Sequence, residues 1–232
     1  MSSPSLLKNP IILALDVDTK DEAKKILDQV GDLVGGVKLG PRLTYAYGAA
    51  IVTEFSKIAP VFVDNKYFDI PSTMESAVRA TFLAGATLTT VHALAGQEAL
   101  AKMTALELEL NQTRPFKILA VTILTSWEKS SFPENFHSWS VENHVRSLSQ
   151  LVYQAGLRGL VCSGHELEFI TQKDFFTVIP GIRLESGETE DQKRVMTPKQ
   201  AIKSGAKALV IGRAILKSAK PRDTILEILE SC

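Results

Sequence analysis

Short apolar runs and amphipathic stretches alternate along the whole of this chain, and that alternation limits its folds more than any single residue does. Eight runs read as strands: Ile11–Leu15, Gly36–Leu39, Val61–Val63, Thr87–Val91, Ile118–Val121, Gly159–Val161, Thr177–Ile179 and Ala208–Ile211. Between them lie helical patterns at Lys20–Val30, Thr73–Ala84, Gln97–Leu110, Val141–Ala155, Thr197–Lys203 and Arg222–Leu229. Ser72 with Glu75 predicts a capping box, and Gly85 a carboxyl-end stop. Repeated βα units imply parallel strands with right-handed crossovers, and eight of them close into a barrel. The expectation is a single-domain α/β protein, a (β/α)8 TIM barrel spanning residues 1–232, close to the usual size of that fold. The competing open sheet wants G-x-G-x-x-G after the first strand, where this chain has Asp16-Val17-Asp18-Thr19.

Composition removes several function classes. Lysine plus arginine equals aspartate plus glutamate at 26 each, so no basic surplus exists to neutralise a nucleic-acid backbone. No apolar run reaches membrane-spanning length, and residues 1–10 lack the charged start and long apolar segment of a signal peptide. The two cysteines, Cys162 and Cys232, form no C-x-x-C pair, and no histidine spacing suggests a metal. These features predict a soluble cytoplasmic protein with no metal, no nucleic-acid partner and no membrane partner.

In a barrel the chemistry lies where the strands end, so the polar residues at those ends are the candidates. Asp16 ends the first run, Lys38 lies in the second, and Asp64 and Lys66 end the third, within Asp64-Asn65-Lys66-Tyr67-Phe68-Asp69-Ile70-Pro71. Thr125 and Ser126 follow the fifth, Arg183 the seventh, and Gly212-Arg213 ends the eighth. Asp64 and Lys66, two apart on a strand, emerge on one face. An acid, an amine and a second acid so close together influence one another's proton affinities, which acid-base chemistry needs; a solvated loop is the plain alternative. Lys38, embedded in Gly36-Val37-Lys38-Leu39-Gly40, requires a carboxylate partner if buried, and Asp64 is the expected one. Pro180-Gly181-Ile182-Arg183 and Ile211-Gly212-Arg213 place glycine backbone and two guanidinium groups where barrels bind phosphate. The polar stretch 186–192 suits a lid over that anion. His92 is expected to pack at the barrel rim, and Trp127 and Trp139 to pack the long loop after the fifth strand.

These residues in this order resemble the orotidine 5′-phosphate decarboxylase family of the bacterial type. The resemblance rests on Ala14-Leu15-Asp16, Val37-Lys38-Leu39-Gly40, Asp64-x-Lys66-x-x-Asp69-Ile70-Pro71-x-Thr73 and Val121 to Ser126. Val161-Cys162-Ser163, Pro180 to Arg183, Asp191-Gln192-x-Arg194 and Ile211-Gly212-Arg213 complete it, so it spans nearly the whole chain. Phe68, Asn65, Ser72 and Ala214 depart from the common pattern at positions to which the family assigns no chemistry.

The resemblance implies conversion of orotidine 5′-monophosphate to uridine 5′-monophosphate and carbon dioxide, the last step of de novo UMP synthesis, without metal or organic cofactor. It implies that Lys66 stabilises the carbanion and donates its proton, with Asp64, Lys38 and Asp69 completing the catalytic set. Asp16 and Lys38 would hold ribose hydroxyls, and Ser126, with Thr125 beside it, the pyrimidine. Arg183, Gln192, Gly212 and Arg213 would hold the phosphate. Asp69 and Thr73 would reach into the ribose site of the other subunit of a homodimer with shared active sites. Two rivals stay open: a magnesium-using decarboxylase or aldolase of the same superfamily acting on a sugar phosphate, and a phosphate-binding barrel without catalysis. Leu124-Thr125-Ser126 and Asp191-Gln192 favour the pyrimidine substrate, and a cluster of buried charge gives a mere scaffold no advantage.

Overall fold

The structure, a computed structural model, describes residues 6–127, 132–134, 138–184 and 196–232. Strands β1 (Ile11–Ala14), β2 (Gly36–Leu39), β3 (Val61–Tyr67), β4 (Leu88–His92), β5 (Lys117–Val121), β6 (Gly159–Val161), β7 (Phe176–Ile179) and β8 (Ala208–Ile211) close into one parallel barrel in chain order. β8 pairs back onto β1 through Ile12↔Val210, so the sheet has no free edge. The helices are α1 (Lys20–Val30), α2 (Pro41–Phe55), α3 (Pro71–Leu83), α4 (Gly96–Leu110), α5 (Val141–Gln154), α6 (Pro198–Lys203), α7 (Arg213–Leu216) and α8 (Pro221–Ser231). This is the (β/α)8 TIM barrel that the alternation predicts.

Side-chain alternation on the strands divides the core in two. Ile11, Leu13, Val37, Leu39, Val61 and Val63 point outward and pack with the helices in the larger apolar cluster. Ile12, Ala14, Phe62, Leu88, Leu119, Val178, Ala208 and Val210 form the smaller one, the fill of the barrel interior. Lys38 and Thr90 belong to the inward series by register, since Lys38 pairs with Ala14 and with Phe62.

Helix ends follow local chemistry. The Thr19 hydroxyl accepts from the Glu22 amide at the start of α1, and Ala23, Leu27 and Val30 give that helix its buried stripe. α3 ends as Gly85 predicts: at φ 108° its N–H donates to the Phe82 carbonyl while Ala86 N–H donates to Thr81. Its start corrects the expectation. Pro71 takes the first helical position after Ile70, Ser72 lies inside the helix, and Glu75 pairs with Arg79 and Lys102 instead of capping.

Two departures from simple alternation have physical causes. α2 is not among the sequence patterns above, because Gly48 breaks its helical geometry at φ 60°, ψ −152° and Tyr45 is an exposed aromatic on it. After β6 the chain makes only the 3-10 helix Gly164–Phe169, where the Glu166 carboxylate turns back to accept from the Ser163 N–H. The ladders are unequal as well: β4 and β5 share five register pairs, whereas β5–β6 and β7–β8 share two each.

β6 comes unusually close to β5 at Gly159. A Cβ there would lie 2.2 Å from the Ile118 carbonyl oxygen and 2.9 Å from Leu119 Cδ2. Gly159→Ala is therefore expected to destabilise the fold by about 1–3 kcal/mol, the usual cost of overpacking, and thermal denaturation will show whether the melting temperature falls accordingly.

Candidate active site

β3 does not stop where its apolar residues stop. It runs on to Tyr67 and pairs Val63 with Thr89 and then Tyr67 with Val91, so Asp64, Asn65 and Lys66 together face the single residue Thr90. The extra residues form a bulge whose last member, Lys66, has φ 49°, the one described non-glycine residue with positive φ. Such geometry costs a non-glycine residue on the order of 1–3 kcal/mol, which surrounding contacts must offset.

Those contacts come from both sides. On the barrel side, the buried Thr90 hydroxyl accepts from Lys66 N–H at 2.9 Å and donates to Asp64 Oδ1 at 3.0 Å. On the helix side, Asn65 Oδ1 accepts from the Thr44 hydroxyl at 2.8 Å, and its amide donates to the Tyr67 hydroxyl at 3.2 Å. Tyr67 is in turn 2.7 Å from the Thr81 hydroxyl, so polar links tie α2, β3 and α3 behind the bulge.

The result is a row of alternating charge. Lys66 Nζ lies 2.9 Å from Asp64 Oδ1, Lys38 Nζ lies 3.7 Å from Asp64 Oδ2, and Lys38 Nζ donates to Asp16 Oδ1 at 3.1 Å. Asp64 is thus the expected partner of Lys38, but Asp16 is nearer. The inner members are the more buried, with side-chain exposures of 13% for Lys38 and 15% for Asp64 against 37% for Lys66 and 58% for Asp16. Their burial is tolerable because each charge faces its opposite.

The row forms one wall of a cavity of about 360 Å³, a size that suits a small organic ligand. Its floor is apolar, made by Ala14, Phe62, Val121, Val161, Val178 and Val210. One strand step above the floor come the polar groups, because Asp16, Asp64 and Gly212 lie two residues beyond Ala14, Phe62 and Val210. Thr125 and Ser126 line the cavity after β5 beside Ile123 and Leu124. Gly181, Arg183, Gly212 and Arg213 line it from the ends of β7 and β8. Arg183 is held by its N–H to the Met196 carbonyl, while its Nε and Nη2 are buried without a hydrogen-bond partner among the described residues. A buried guanidinium with open donors fits an anion better than it fits an empty wall.

Several candidates lie elsewhere. Asp69 and Thr73 are exposed and outside their own chain's cavity; Asp69 Oδ1 accepts from the adjacent Ile70 N–H. The D-x-K-x-x-D motif therefore divides, with its first two charged residues inside and its last outside. Gln192 and the stretch 186–192 lie outside the described residues. His92 also stands outside the cavity, its ring 5.6 Å from Phe68, and burial together with the Lys66 charge lowers its pKa. Trp127 and Trp139 belong to an aromatic cluster with Phe132 and His144, as expected for loop packing. Among the described residues, no group of three or more acidic, histidine or cysteine side chains is placed to hold a metal ion. Thr90 is not among the sequence candidates, and Asn65 stands there only as a departure from the family pattern; an inward polar residue in the apolar β4 run is the available signal for Thr90.

Known proteins resemble this chain in sequence and in fold. The sequence model of the orotidine 5′-phosphate decarboxylase / HUMPS family matches residues 9–228. Relatives named orotidine 5′-phosphate decarboxylase include that of Erythrobacter litoralis, 37% identical over 96% of this chain and 98% of its own. That of Wolbachia pipientis subsp. Culex pipiens is 38% identical over 96% and 98%, and that of Trichlorobacter lovleyi 39% over 92% and 91%. Among solved structures, the orotidine 5′-phosphate decarboxylase of Lactobacillus acidophilus superposes with a TM-score of 0.83 at 31% identity, covering 97% of this chain and 99% of that one. An uncharacterised conserved protein of Geobacillus kaustophilus gives 0.81 at 28%, covering 96% and 99%. With residues 9–228 matched by the family model, and full-length relatives close to two-fifths identical, this chain belongs to the orotidine 5′-phosphate decarboxylase / HUMPS family.

Proposed function

We propose that this chain is a single-domain, cytoplasmic enzyme that decarboxylates orotidine 5′-monophosphate to uridine 5′-monophosphate in pyrimidine biosynthesis. The observation that carries the reading is the Asp16–Lys38–Asp64–Lys66 row, standing over an apolar floor in a cavity that also receives Arg183 and Arg213. The substrate has matching parts: a phosphate for the arginine end, a ribose, and a pyrimidine whose carboxylate must leave.

In this reading the phosphate lies against Arg183, Arg213 and the Gly212 backbone, with Gln192 closing over it, and the pyrimidine amide edge meets Ser126 and Thr125. Asp16 and Lys38 take ribose hydroxyls. The bond between pyrimidine C6 and the carboxylate then breaks, carbon dioxide departs, and the electron pair stays on C6. The Lys66 ammonium stabilises that charge and gives C6 a proton; the neutral amine regains one from water. Asp64 holds the ammonium in place at 2.9 Å before the reaction, so little reorganisation is needed as charge develops. Phosphate contacts far from C6 contribute binding energy that closure can direct to the reacting carbon.

A homodimer with shared sites accounts for the residues that miss their own cavity. Asp69 and Thr73 are exposed beside Phe68 and Ile70, at 61% and 64% exposure, a solvent-facing apolar pair adjoining polar groups of the proposed partner-directed set.

Lys66→Ala is expected to abolish turnover at saturating substrate, a loss of more than about a thousandfold in kcat, whereas Arg213→Ala should act mainly by raising KM. Steady-state kinetics with ultraviolet detection of substrate loss checks both, and near-normal kcat in Lys66→Ala would sink the catalytic assignment.

Turnover is also expected to survive exhaustive chelation unchanged. Loss of activity restored by magnesium would move the chain to the sugar-phosphate branch of the superfamily.

For the shared site, Lys66→Ala and Asp69→Ala subunits mixed in equal amounts should regain about a quarter of wild-type activity, because a mixed dimer gathers both defects in one site and leaves the other intact. Subunits that verifiably exchange without recovery would show that Asp69 serves its own chain.

A further inference from the structure

We infer that Thr90 is a positioning residue for the reacting pair: its single hydroxyl fixes both the backbone that carries Lys66 and the carboxylate that holds the Lys66 ammonium. This inference rests on the decarboxylase reading for its kinetic consequence, but not for its geometry.

Thr90 is fully buried at the one β4 position that faces the bulge Asp64-Asn65-Lys66. A hydroxyl has one proton to give. Lys66 N–H can only donate, so the oxygen accepts it at 2.9 Å, and the hydroxyl proton goes to Asp64 Oδ1 at 3.0 Å, a carboxylate atom that can only accept. The direction of each bond follows from the chemistry of its partner. Asp64 Oδ1 is thus shared between Thr90 and Lys66 Nζ, leaving Oδ2 to face Lys38. Without the hydroxyl, the Lys66 amide loses its partner in a left-handed conformation that lysine does not favour. The carboxylate also loses the one neutral, short-tethered donor among its contacts. Both lysines reach Asp64 on flexible stems and can follow it if it turns; Thr90, β-branched and set in a strand, cannot.

A buried threonine that merely satisfies the strand backbone would look similar, so the test separates the hydroxyl from the side chain's bulk. Thr90→Ser and Thr90→Ala both remove the methyl group and differ only in the oxygen, while Thr90→Val keeps the volume and removes the oxygen. We expect Thr90→Ser to stay within about threefold of wild-type kcat, and Thr90→Ala and Thr90→Val to fall by about 10–100-fold, the scale of a displacement near 1 Å. Affinity for the product nucleotide, measured by calorimetry, should change by less than about threefold in all of them, since its phosphate contacts are remote from the bulge. Crystal structures of Thr90→Ala should show Lys66 out of the left-handed region or its Nζ more than about 4 Å from Asp64, beyond ion-pair reach.

Thr90→Ala matching Thr90→Ser in kcat overturns the inference, as does a Thr90→Ala crystal with the bulge unchanged. Because the Ser and Ala variants share the same lost packing, they decide the matter even where Thr90→Val does not fold. A wild-type chain that fails to turn over orotidine 5′-monophosphate would refute the proposed function instead, and the Thr90→Ala crystal would still decide the positioning role.

Discussion

Asp64 is the group on which the site depends. A carboxylate with only 15% of its side chain exposed is costly to desolvate, and two hydrogen-bond donors, Lys66 at 2.9 Å and Thr90 at 3.0 Å, offset that cost together with the Lys38 charge at 3.7 Å. Lys66 is two residues along the same strand, but the other two are distant in sequence. Lys38 comes from β2 and Thr90 from β4, so the pairing exists only when β3 lies between them in parallel register. The barrel is thus a precondition of the charge row, and the row in turn gives β3 a reason to continue past its apolar residues.

Much of this was legible in the chain because strands have period two and helices near 3.6, and those periods survive in the sequence. All eight strands fall where the apolar runs lie, and α1 has the bounds that its amphipathic pattern predicts. The inward placement of Asp16, Lys38 and Asp64 follows from the same arithmetic. What escaped has physical causes. The bulge at Asp64–Lys66 depends on pairing with β4 two dozen residues away, so no local signal marks where β3 ends. α2 is apolar on more than one side and contains Gly48 at positive φ, which blurs its period. The Ser72–Glu75 pattern is a capping box in composition only, because Pro71 had already begun the helix and the α4 lysine Lys102 offers Glu75 a charged partner. Asn65 stood out as a departure from the family pattern, but its links to Thr44 and Tyr67 appear only once α2 packs against β3.

Asp69 and Thr73 illustrate a further limit of reading one chain. Spacing places Asp69 three residues after Lys66, as though it were a third member of one cluster. The turn into α3 carries it to the surface instead, where its carboxylate accepts from the Ile70 amide. Proximity in sequence and membership of one pocket are separate properties, and the turn between β3 and α3 separates them.

The unequal ladders divide the barrel mechanically. β3, β4 and β5 have seven, five and five residues, and β4 and β5 are joined by five register pairs. β6, β7 and β8 have three, four and four residues, with a 3-10 helix as the only helix between β6 and β7 among the described residues. The stiff half holds the Asp64 and Lys66 charges, where a displacement of a fraction of an ångström matters. The compliant half ends in Arg183 and Arg213, whose long side chains can follow a shifting backbone and still line the cavity. Local opening draws on the elements with the fewest ladder bonds, so thermal breathing in this barrel is channelled toward the β6–β8 arc and away from the bulge that carries Lys66.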